Sequence, residues 1–266
     1  MKIAESERCC GRPLMTWDDA FNFSCRPDID CFNSCCRDVT IFLNPLDVIR
    51  LRKALDIPST AFLHKYTDMV ISPVSGLPAV VLRMDADEEK KCPFVLEQGC
   101  TVYESRPYSC RLYPLDTEQG VEYSFIVESD RCHGLAEAEE LTVERWRKEQ
   151  GLYEYDDLDH NLKDVMSADQ VWEQKIADSR MQDMFVMAIY DVDRFREFVF
   201  ESSFLKKFHV DDDILEKIRE DDVSLLYFAG QWLRFAFFGK KGFLKIDRDF
   251  LEEKKRIVLS GRGQKA

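Results

Sequence analysis

Ten cysteines are the residues of this 266-residue chain with the most evident chemistry. All of them lie between Cys9 and Cys132, and residues 133–266 contain none. Eight fall into two groups: Cys25-x5-Cys31-x3-Cys35-Cys36 and, further along, Cys92, Cys100, Cys110 and Cys132. Thiolates in such groups can converge on one ion or cluster, because turns bring their sulfur atoms within reach of metal–sulfur bonds of about 2.3 Å. The grouping predicts a metal centre rather than a scatter of inert, buried thiols.

Two features of these groups affect how the cysteines can bind a metal. Cys35 and Cys36 are adjacent and their side chains diverge in most backbones, so they can serve different metals, or one can be a ligand while the other packs beside it. Arg106 and Arg111 flank Cys110, and their guanidinium groups can offset the negative charge that several thiolates accumulate. The alternative is that both arginines pair with surface carboxylates.

The order of the motifs resembles a known family. A cysteine-rich opening that ends in Cys-Cys, then Cys-Pro-Phe, then Cys-x-Val-Tyr-x-x-Arg-Pro-x-x-Cys-Arg is similar to the YkgJ-type cysteine-cluster proteins, also written CxxCxxCC. That family is described as a zinc- or iron-chelating domain and is often labelled an iron–sulfur oxidoreductase; flagellin lysine N-methylase is a distant relative. The resemblance covers Cys25 to Cys132, and its second half is the specific part.

By position, the resemblance implies metal ligands at Cys25, Cys31, Cys35, Cys36, Cys92, Cys100, Cys110 and Cys132. Three further residues of the motif, Tyr103, Arg106 and Arg111, are expected to lie against the bound cofactor. The opening departs from the compact family form, since its gaps are five and three residues, and the departure is greatest at Cys25. Cys9 and Cys10 fall outside the pattern, and three roles stay open for them: accessory ligands, redox-active thiols or residues without a role in the site. Three roles stay open for His133 as well: a metal ligand, a residue that contacts the ligands, or the first residue of a helix.

The metal itself is left open by the sequence. Eight thiolates suit two four-sulfur zinc sites or one or two iron–sulfur clusters, and spacing alone does not choose between them. Zinc would favour a structural role, because four sulfurs leave no open coordination position. An iron–sulfur cluster, of the [4Fe–4S] type, is the first choice by analogy with the family label.

Composition and charge narrow the class of protein. Hydrophobic residues make up 45% of the chain, which is enough for a core, and 37 Lys and Arg against 50 Asp and Glu give a net charge of −13. This acidic balance argues against nucleic acid as a partner. No secretory signal precedes the cysteines, and the most apolar stretch, Val223 to Phe238, falls short of the roughly 20 residues that span a bilayer. We therefore expect a cytoplasmic protein without membrane association, where clustered cysteines bind metal more often than they form disulfides.

The elements that must position the cysteines are short. We predict a strand over 39–43, a helix capped by Asn44, a second helix from Ser59 or Thr60, a hairpin of residues 69–72 and 79–84, and a strand over 121–127. The cysteines fall mainly in the irregular segments between them. After residue 135 the pattern is helical, with a long apolar stripe from Met184 to Phe198. We predict a helix over 143–150 capped by Thr142, helices over 168–178 and 212–219, and a buried helix over 223–238.

The expected fold class is therefore α+β. A small irregular cysteine-rich metal-binding unit with short strands and helices, residues 1–135, is followed by an all-helical region, residues 136–266, packed on it. No flexible linker separates them.

Three functions are consistent with this reading. The first is a metal-binding cysteine-cluster protein that holds an iron–sulfur or zinc centre and has a redox or accessory role. The second is an S-adenosylmethionine-dependent protein lysine N-methylase of the flagellin type, in which the helical half binds a protein substrate; no G-x-G-x-x-G or P-loop fingerprint is present to hold a nucleotide. The third is a zinc-stapled scaffold that binds a protein partner. The sequence does not decide between an iron–sulfur oxidoreductase, a methyltransferase and a protein that is not an enzyme, and it does not identify the substrate or partner.

Overall fold

The computed structural model describes residues 14–72, 76–118, 121–166 and 178–239, together with the backbone of residues 245–246. The chain forms two compact units. The first unit comprises residues 1–57, 62–70 and 79–160. The second comprises residues 58–61, 71–78 and 161–266. The domain boundary predicted after residue 135 stays a prediction. Cys9, Cys10 and nearly all of the helix predicted over 168–178 lie outside the described residues.

Short antiparallel strands connect the cysteine-bearing loops. In chain order they are β1 (Ala20–Asn22), β2 (Phe42–Leu43), β3 (Thr67–Ile71), β4 (Pro78–Leu82), β5 (Val95–Leu96), β6 (Gly99–Cys100), β7 (Leu115–Glu118), β8 (Glu122–Phe125) and β9 (Glu140–Thr142). Strands β5 and β6 form one hairpin and β7 and β8 another, while β2, β4 and β3 form a three-stranded sheet in that order. Strand β1 pairs with the distant β9, with Phe21 opposite Leu141.

Five helices accompany these strands: α1 (Pro45–Ala54), α2 (Ser59–Tyr66), α3 (Tyr108–Leu112), α4 (Val143–Glu149) and α5 (Tyr153–Met166). Helix α1 begins where the sequence predicts it. The Asn44 side chain accepts a hydrogen bond from the Asp47 amide, and the Asp47 carboxylate accepts one from the Asn44 amide, each at 2.9 Å. This reciprocal capping box satisfies two amides of the first turn. Thr142 caps α4 in the predicted way, accepting from the Arg145 amide.

The second unit is mainly helical. Its further helices are α6 (Ser179–Ile189), α7 (Val192–Glu201), α8 (Phe204–Lys207), α9 (Asp212–Glu220) and α10 (Asp222–Phe238), and one two-residue strand pair, β10 (Phe208–His209) with β11 (Lys245–Ile246), lies among them. Aromatic rings form its core: the Phe195 ring lies 5.5 Å from that of Trp232, and Phe204 lies 6.0 Å from Phe228. Helix α10 is the buried helix predicted over Val223 to Phe238.

The apolar stripe predicted from Met184 to Phe198 is divided between two helices. The chain leaves α6 at Tyr190 and starts α7 after Asp191, which is buried. The Asp191 carboxylate accepts hydrogen bonds from the hydroxyls of Ser59, at 2.6 Å, and Thr60, at 2.9 Å. A buried carboxylate needs such donors, and these come from a segment distant in sequence.

The α+β class is confirmed by this mixture of short strands and a helical C-terminal region. Within the part of the chain that the structure describes, no helix combines the length and the apolar character needed to cross a membrane.

Candidate metal centre

The first cysteine loop begins directly after β1 and turns tightly. The Phe32 amide donates to the Ile29 carbonyl at 2.8 Å, and the Ser34 amide donates to the Cys31 carbonyl at 3.0 Å. A 3₁₀ turn over Ser34–Cys36 follows, preceded by Asn33 with a left-handed φ of 65°. Consecutive turns of this kind place Cys25, Cys31, Cys35 and Cys36 in one compact segment.

Cys132 is brought to this loop by main-chain pairing across more than a hundred residues. Pairing of β1 with β9 aligns the two segments, and beyond it the Ser24 amide donates to the Gly134 carbonyl at 3.1 Å. A Cβ atom at Gly134 would lie 2.6 Å from the Ser24 carbonyl oxygen, so only glycine permits this approach. The His133 amide donates to the Cys31 sulfur at 3.3 Å. Cys132 therefore belongs spatially with the first cysteine group, although its sequence places it with the second.

The second cysteine loop is fastened to the first from both sides. The Cys92 amide donates to the Cys36 carbonyl at 2.8 Å. From the first loop, the Asn33 side-chain amide donates to the carbonyls of Leu96, at 3.0 Å, and Glu97, at 3.3 Å, in the turn between β5 and β6. These bonds hold the loop that carries Cys92 and Cys100 against the 3₁₀ turn of the first loop.

Cys110 is positioned by helix α3, which is tied to a buried carboxylate. The Tyr108 amide donates to Asp47 Oδ1 at 2.9 Å, and the Tyr155 hydroxyl donates to the same oxygen at 2.7 Å. Asp47 is completely buried, and this burial raises its pKa to about 6 against the opposing effect of its hydrogen-bond donors and of Arg50. One side chain thus links the start of α1, the start of α3 and helix α5.

The electrostatic influence of each thiol on the others divides seven of the eight cysteines into two sets, and Cys35 acts on members of both. Loss of solvent raises the pKa of Cys25 to about 11, with further contributions from Cys35, Cys132 and Cys31. Burial likewise raises the pKa of Cys132, and the thiol of Cys31 adds to the effect. We call Cys25, Cys31, Cys35 and Cys132 quartet A.

The remaining four thiols, Cys36, Cys92, Cys100 and Cys110, form quartet B. Burial raises the pKa of Cys92 to about 11 with a contribution from Cys100, and it raises the pKa of Cys110 with contributions from Cys92 and Cys100. Cys35 acts on all four members of quartet B as well, so it lies where the quartets meet. The sulfur atoms of Cys35 and Cys36 are 4.0 Å apart, and a hydrogen bond between them lowers the pKa of Cys35 and raises that of Cys36.

Polar groups near several of the sulfur atoms favour the thiolate form. The amides of Phe94, Val102 and Gly134 each lower the pKa of the cysteine two residues earlier, against the larger effect of burial. The Tyr113 hydroxyl and the Leu135 amide lower the pKa of Cys132 in the same way, and the Leu135 amide donates to the Cys132 carbonyl at 3.1 Å. Donors aimed at sulfur stabilise a thiolate, which is the form that binds metal.

The two arginines of the motif act differently from each other. The Arg106 guanidinium lies 3.8 Å from the centre of the exposed Tyr103 ring, and its charge lowers the pKa of Cys25 and Cys100 against the larger effect of burial. Arg111 is buried and donates to the main-chain carbonyls of Glu104, Arg106 and Gln150. The charge of Arg106 thus lowers the pKa of a thiol in each quartet, whereas Arg111 holds the main chain around residues 104–106 and Gln150 in place. Direct contact of Tyr103, Arg106 and Arg111 with a cofactor stays a prediction.

All eight of these cysteines are free thiols. Across the described ranges, no three Cys, His, Asp or Glu side chains already stand in the geometry of a bound metal ion. The side chain of His133 is exposed, and its contribution is the main-chain amide at the start of a 3₁₀ turn, His133–Ala136. The described cysteines therefore lie in neighbouring loops, but their sulfur atoms do not take up the arrangement of a metal site.

A cavity of about 570 Å³ opens beside the two cysteine loops. Its lining is mixed in character: Ile29, Phe32, Val95 and Leu96 are apolar, and Asp28, Asp30, Glu97, Arg37 and Lys91 are charged. Part of its wall, Pro27 to Asp30, comes from the gap between Cys25 and Cys31, where the chain departs from the compact family spacing.

Comparison with known proteins found a family match over the segment that contains this site. Residues 24–133 match the family model CxxCxxCC, described as "Putative zinc- or iron-chelating domain". The resemblance inferred from the sequence is therefore confirmed over this segment, which contains all eight cysteines and the loops described above. No curated protein and no solved structure gave a match.

Four residues that position the site were not predicted from the sequence: Asn33, Asp47, Tyr113 and Gly134. Asn33 and Gly134 had a local signal, since each lies within two residues of a predicted ligand and is a type that favours tight turns. Asp47 was visible only as a helix-capping residue. Its bonds to Tyr108 and Tyr155 depend on the tertiary fold, as does the effect of the Tyr113 hydroxyl on the pKa of Cys132.

Proposed function

We propose that the eight cysteines bind metal at two four-sulfur centres, one held by quartet A and one by quartet B. The carrying observation is that tertiary pairing brings Cys132 to Cys31, through β1 with β9 and the His133 amide on the Cys31 sulfur, while the Cys92 amide fastens the second loop to Cys36. Cys35 acts on thiols of both sets, and the proposal assigns it to quartet A so that each centre has four ligands. Because Cys35 and Cys36 fall into different quartets, their adjacency gives each centre one ligand from the Cys-Cys pair. The zinc- or iron-chelating description of the family supports metal as the ligand.

The chemistry of the donors is suited to such centres. Thiolate sulfur is the ligand of zinc sites with four cysteines and of iron–sulfur clusters. Four such ligands at about 2.3 Å form a tetrahedron whose sulfur atoms are about 3.8 Å apart. The cysteine loops would close to these distances on binding metal, which would displace the thiol protons that burial now favours.

We further propose that the centres are iron–sulfur clusters with a redox or accessory role. Hydrogen bonds to sulfur and burial of the ligands are the two features by which a protein sets the reduction potential of such a cluster, and both occur here. A cluster would supply one-electron transfer, while the chain's own residues hold the sulfurs and exclude water from Cys92 and Cys132. Zinc in the same positions would be structural.

Eight free thiols are consistent with function in the reducing cytoplasm, which is part of this proposal, as is a protein partner or substrate that exchanges electrons with the centre. No observation favours the lysine N-methylase or the zinc-stapled scaffold over the metal centre, and both stay predictions.

The test is anaerobic purification followed by analysis for iron, zinc and acid-labile sulfide, with an optical spectrum before and after reduction. The proposal expects iron with comparable sulfide and a broad absorption that bleaches on reduction. Zinc without sulfide would overturn the redox role and leave a structural one. A folded, reduced protein that contains neither metal would remove the proposal entirely.

A further inference from the structure

The cavity beside the cysteine loops has a wall from each of them. The first loop supplies one wall and the β5–β6 hairpin supplies the other. The ring of Phe32, which directly follows Cys31, lies against Gly99, where an added Cβ atom would be 3.4 Å from the ring. Gly99 in turn directly precedes Cys100. A group bound in the cavity would therefore touch a ring that adjoins one cysteine of each quartet.

Hydrogen bonds give these walls a fixed shape. The Phe32 amide donates to the Ile29 carbonyl at 2.8 Å within the first wall. The Asn33 side chain ties that wall to the hairpin through the carbonyls of Leu96 and Glu97. The volume of about 570 Å³ lies in the range of about 300–1,000 Å³ in which proteins hold ligands, and such sites are mostly formed before binding. The cavity therefore has the size and the support of a binding site.

Extra residues in the first cysteine gap build much of one wall. The compact family form, CxxCxxCC, has two residues between its first two cysteines, whereas Cys25 and Cys31 are separated by five. Four lining residues, Pro27 to Asp30, come from this gap. The cavity is therefore a feature of this chain's own spacing, and the metal ligands alone do not account for it.

The charges that stay available in the cavity are acidic. Arg37 and Lys91 line it, but both pair with the carboxylate of Glu89, so these three side chains together leave one net positive charge. The carboxylates of Asp30 and Glu97 add two negative charges, and neither makes an ion pair or a hydrogen bond with the part of the chain that the structure describes. The net charge of −13 on the whole chain has the same sign. The cavity therefore attracts a positively charged partner.

Apolar side chains supply the second part of the recognition. Ile29 is buried and Phe32 is half-buried, whereas Leu96 is 58% exposed. A small molecule confined to the cavity would leave most of the Leu96 side chain in water. A protein segment that runs across the rim would cover it, and apolar contacts surrounded by charged side chains are typical of protein interfaces. A protein segment is therefore the better match for this surface.

We propose that the cavity receives a segment of a protein partner in which basic residues lie beside apolar ones. Its lysine or arginine side chains pair with Asp30 and Glu97, and an apolar side chain packs on Phe32 and Leu96. The inference rests on the proposed function, because this partner is the one that exchanges electrons with the centres. Interfaces between electron-transfer partners are small, under about 1,200 Å², so one cavity and its rim are enough to form the contact.

The experiment measures the binding of short synthetic peptides to the full-length, anaerobically prepared protein by fluorescence anisotropy. The probe is a fluorescein-labelled peptide of sequence Lys-Leu-Lys-Leu. It should bind, and its Glu-Leu-Glu-Leu and Lys-Ser-Lys-Ser counterparts should bind at least about 10-fold more weakly, because each lacks one part of the recognition. Asp30→Asn combined with Glu97→Gln should weaken binding of the probe by about 3- to 30-fold, because two exposed ion pairs are lost.

The matched control is Asp213→Asn combined with Glu216→Gln on helix α9, which removes the same two charges at exposed positions that do not line the cavity. It should bind the probe as the wild type does. Equal weakening by both double variants would indicate general attraction to an acidic protein and would overturn the inference. Equal binding of the three peptides, or no binding of the probe, would do the same. Displacement of the probe by an equal concentration of butylammonium would assign the cavity to a small amine instead.

A second measurement uses the wild type alone and covers the case in which the double variant does not fold. A water-soluble carbodiimide joins a lysine amine to a carboxylate that it contacts, and peptide mapping then locates the new amide bond. The bond should form at Asp30 or Glu97, and coupling mainly at other carboxylates would contradict the inference.

Metal analysis of the same preparation separates this inference from the proposed function. A protein without metal that still couples the probe at Asp30 or Glu97 would remove the electron-exchange role and leave the docking site. A metal-loaded protein that does not bind the probe would remove the docking site and leave the proposed function.

Discussion

The buried carboxylate of Asp47 makes stability depend on pH in a way that a single substitution should remove. Its pKa is about 6 in the folded protein, against an ordinary value of 3.8, because burial penalises the charged form. Between pH 4 and pH 6 the folded state therefore keeps a proton that the unfolded state releases. The stabilisation from this group is full below pH 3.8 and is lost as pH rises through 6.

The difference of about two pKa units corresponds to about 3 kcal/mol in the free energy of unfolding. Asp47→Asn cannot titrate, so the variant should lack this loss between pH 4 and pH 7. Fewer hydrogen bonds to Tyr108 and Tyr155 in the variant shift its stability by a constant amount and leave the pH slope unaffected. Comparing the two slopes isolates the titration of Asp47.

The assay is urea denaturation at several values between pH 4 and pH 7, followed by tryptophan fluorescence, with chelator and reductant present throughout. Asp30→Asn, at an exposed position, is the control and should keep the wild-type slope. Equal slopes for wild type and Asp47→Asn would refute the reasoning. If the chelated protein does not fold, a ¹³C NMR titration of the metal-loaded protein reports the same pKa, and Asp47→Asn removes the corresponding resonance.

Three further substitutions test how the cysteine loops are held. Gly134→Ala should lower stability by about 1–3 kcal/mol and weaken metal binding, since its Cβ would meet the Ser24 carbonyl at 2.6 Å; a wild-type melting temperature would show that the approach is not tight. Asn33→Ala loses two hydrogen bonds to the β5–β6 turn and should cost about 1–3 kcal/mol in urea denaturation, whereas a cost near zero would mean that the turn is held by other contacts. Arg111→Met leaves three main-chain carbonyls without this donor and should cost at least about 2 kcal/mol by thermal unfolding; an unchanged transition would contradict the bracing role.

Local signals in the sequence were sufficient for much of the fold. Asn44 followed by Pro45 predicted the start of α1, and Thr142 predicted the cap of α4, because capping depends on neighbouring residues only. The break at Asp191 was not predicted. Its cause is hydrogen bonding to Ser59 and Thr60, which no local pattern encodes.

The candidate site shows the same division. Residue type and spacing singled out the eight cysteines as a set, and the family match covers them. The assignment of Cys132 to the first loop was not predictable, because it follows from the pairing of β1 with β9 and from the contact of Ser24 with Gly134. Sequence proximity placed Cys132 with Cys110, whereas tertiary pairing places it near Cys25 and Cys31.

The division into two quartets is the central claim, and native mass spectrometry of anaerobically prepared protein tests it most directly. The wild type should carry two centres. Cys132→Ser should lose one of them and Cys110→Ser the other, with the remaining centre retained in each variant. A single centre in the wild type, or loss of both centres in each variant, would contradict the account.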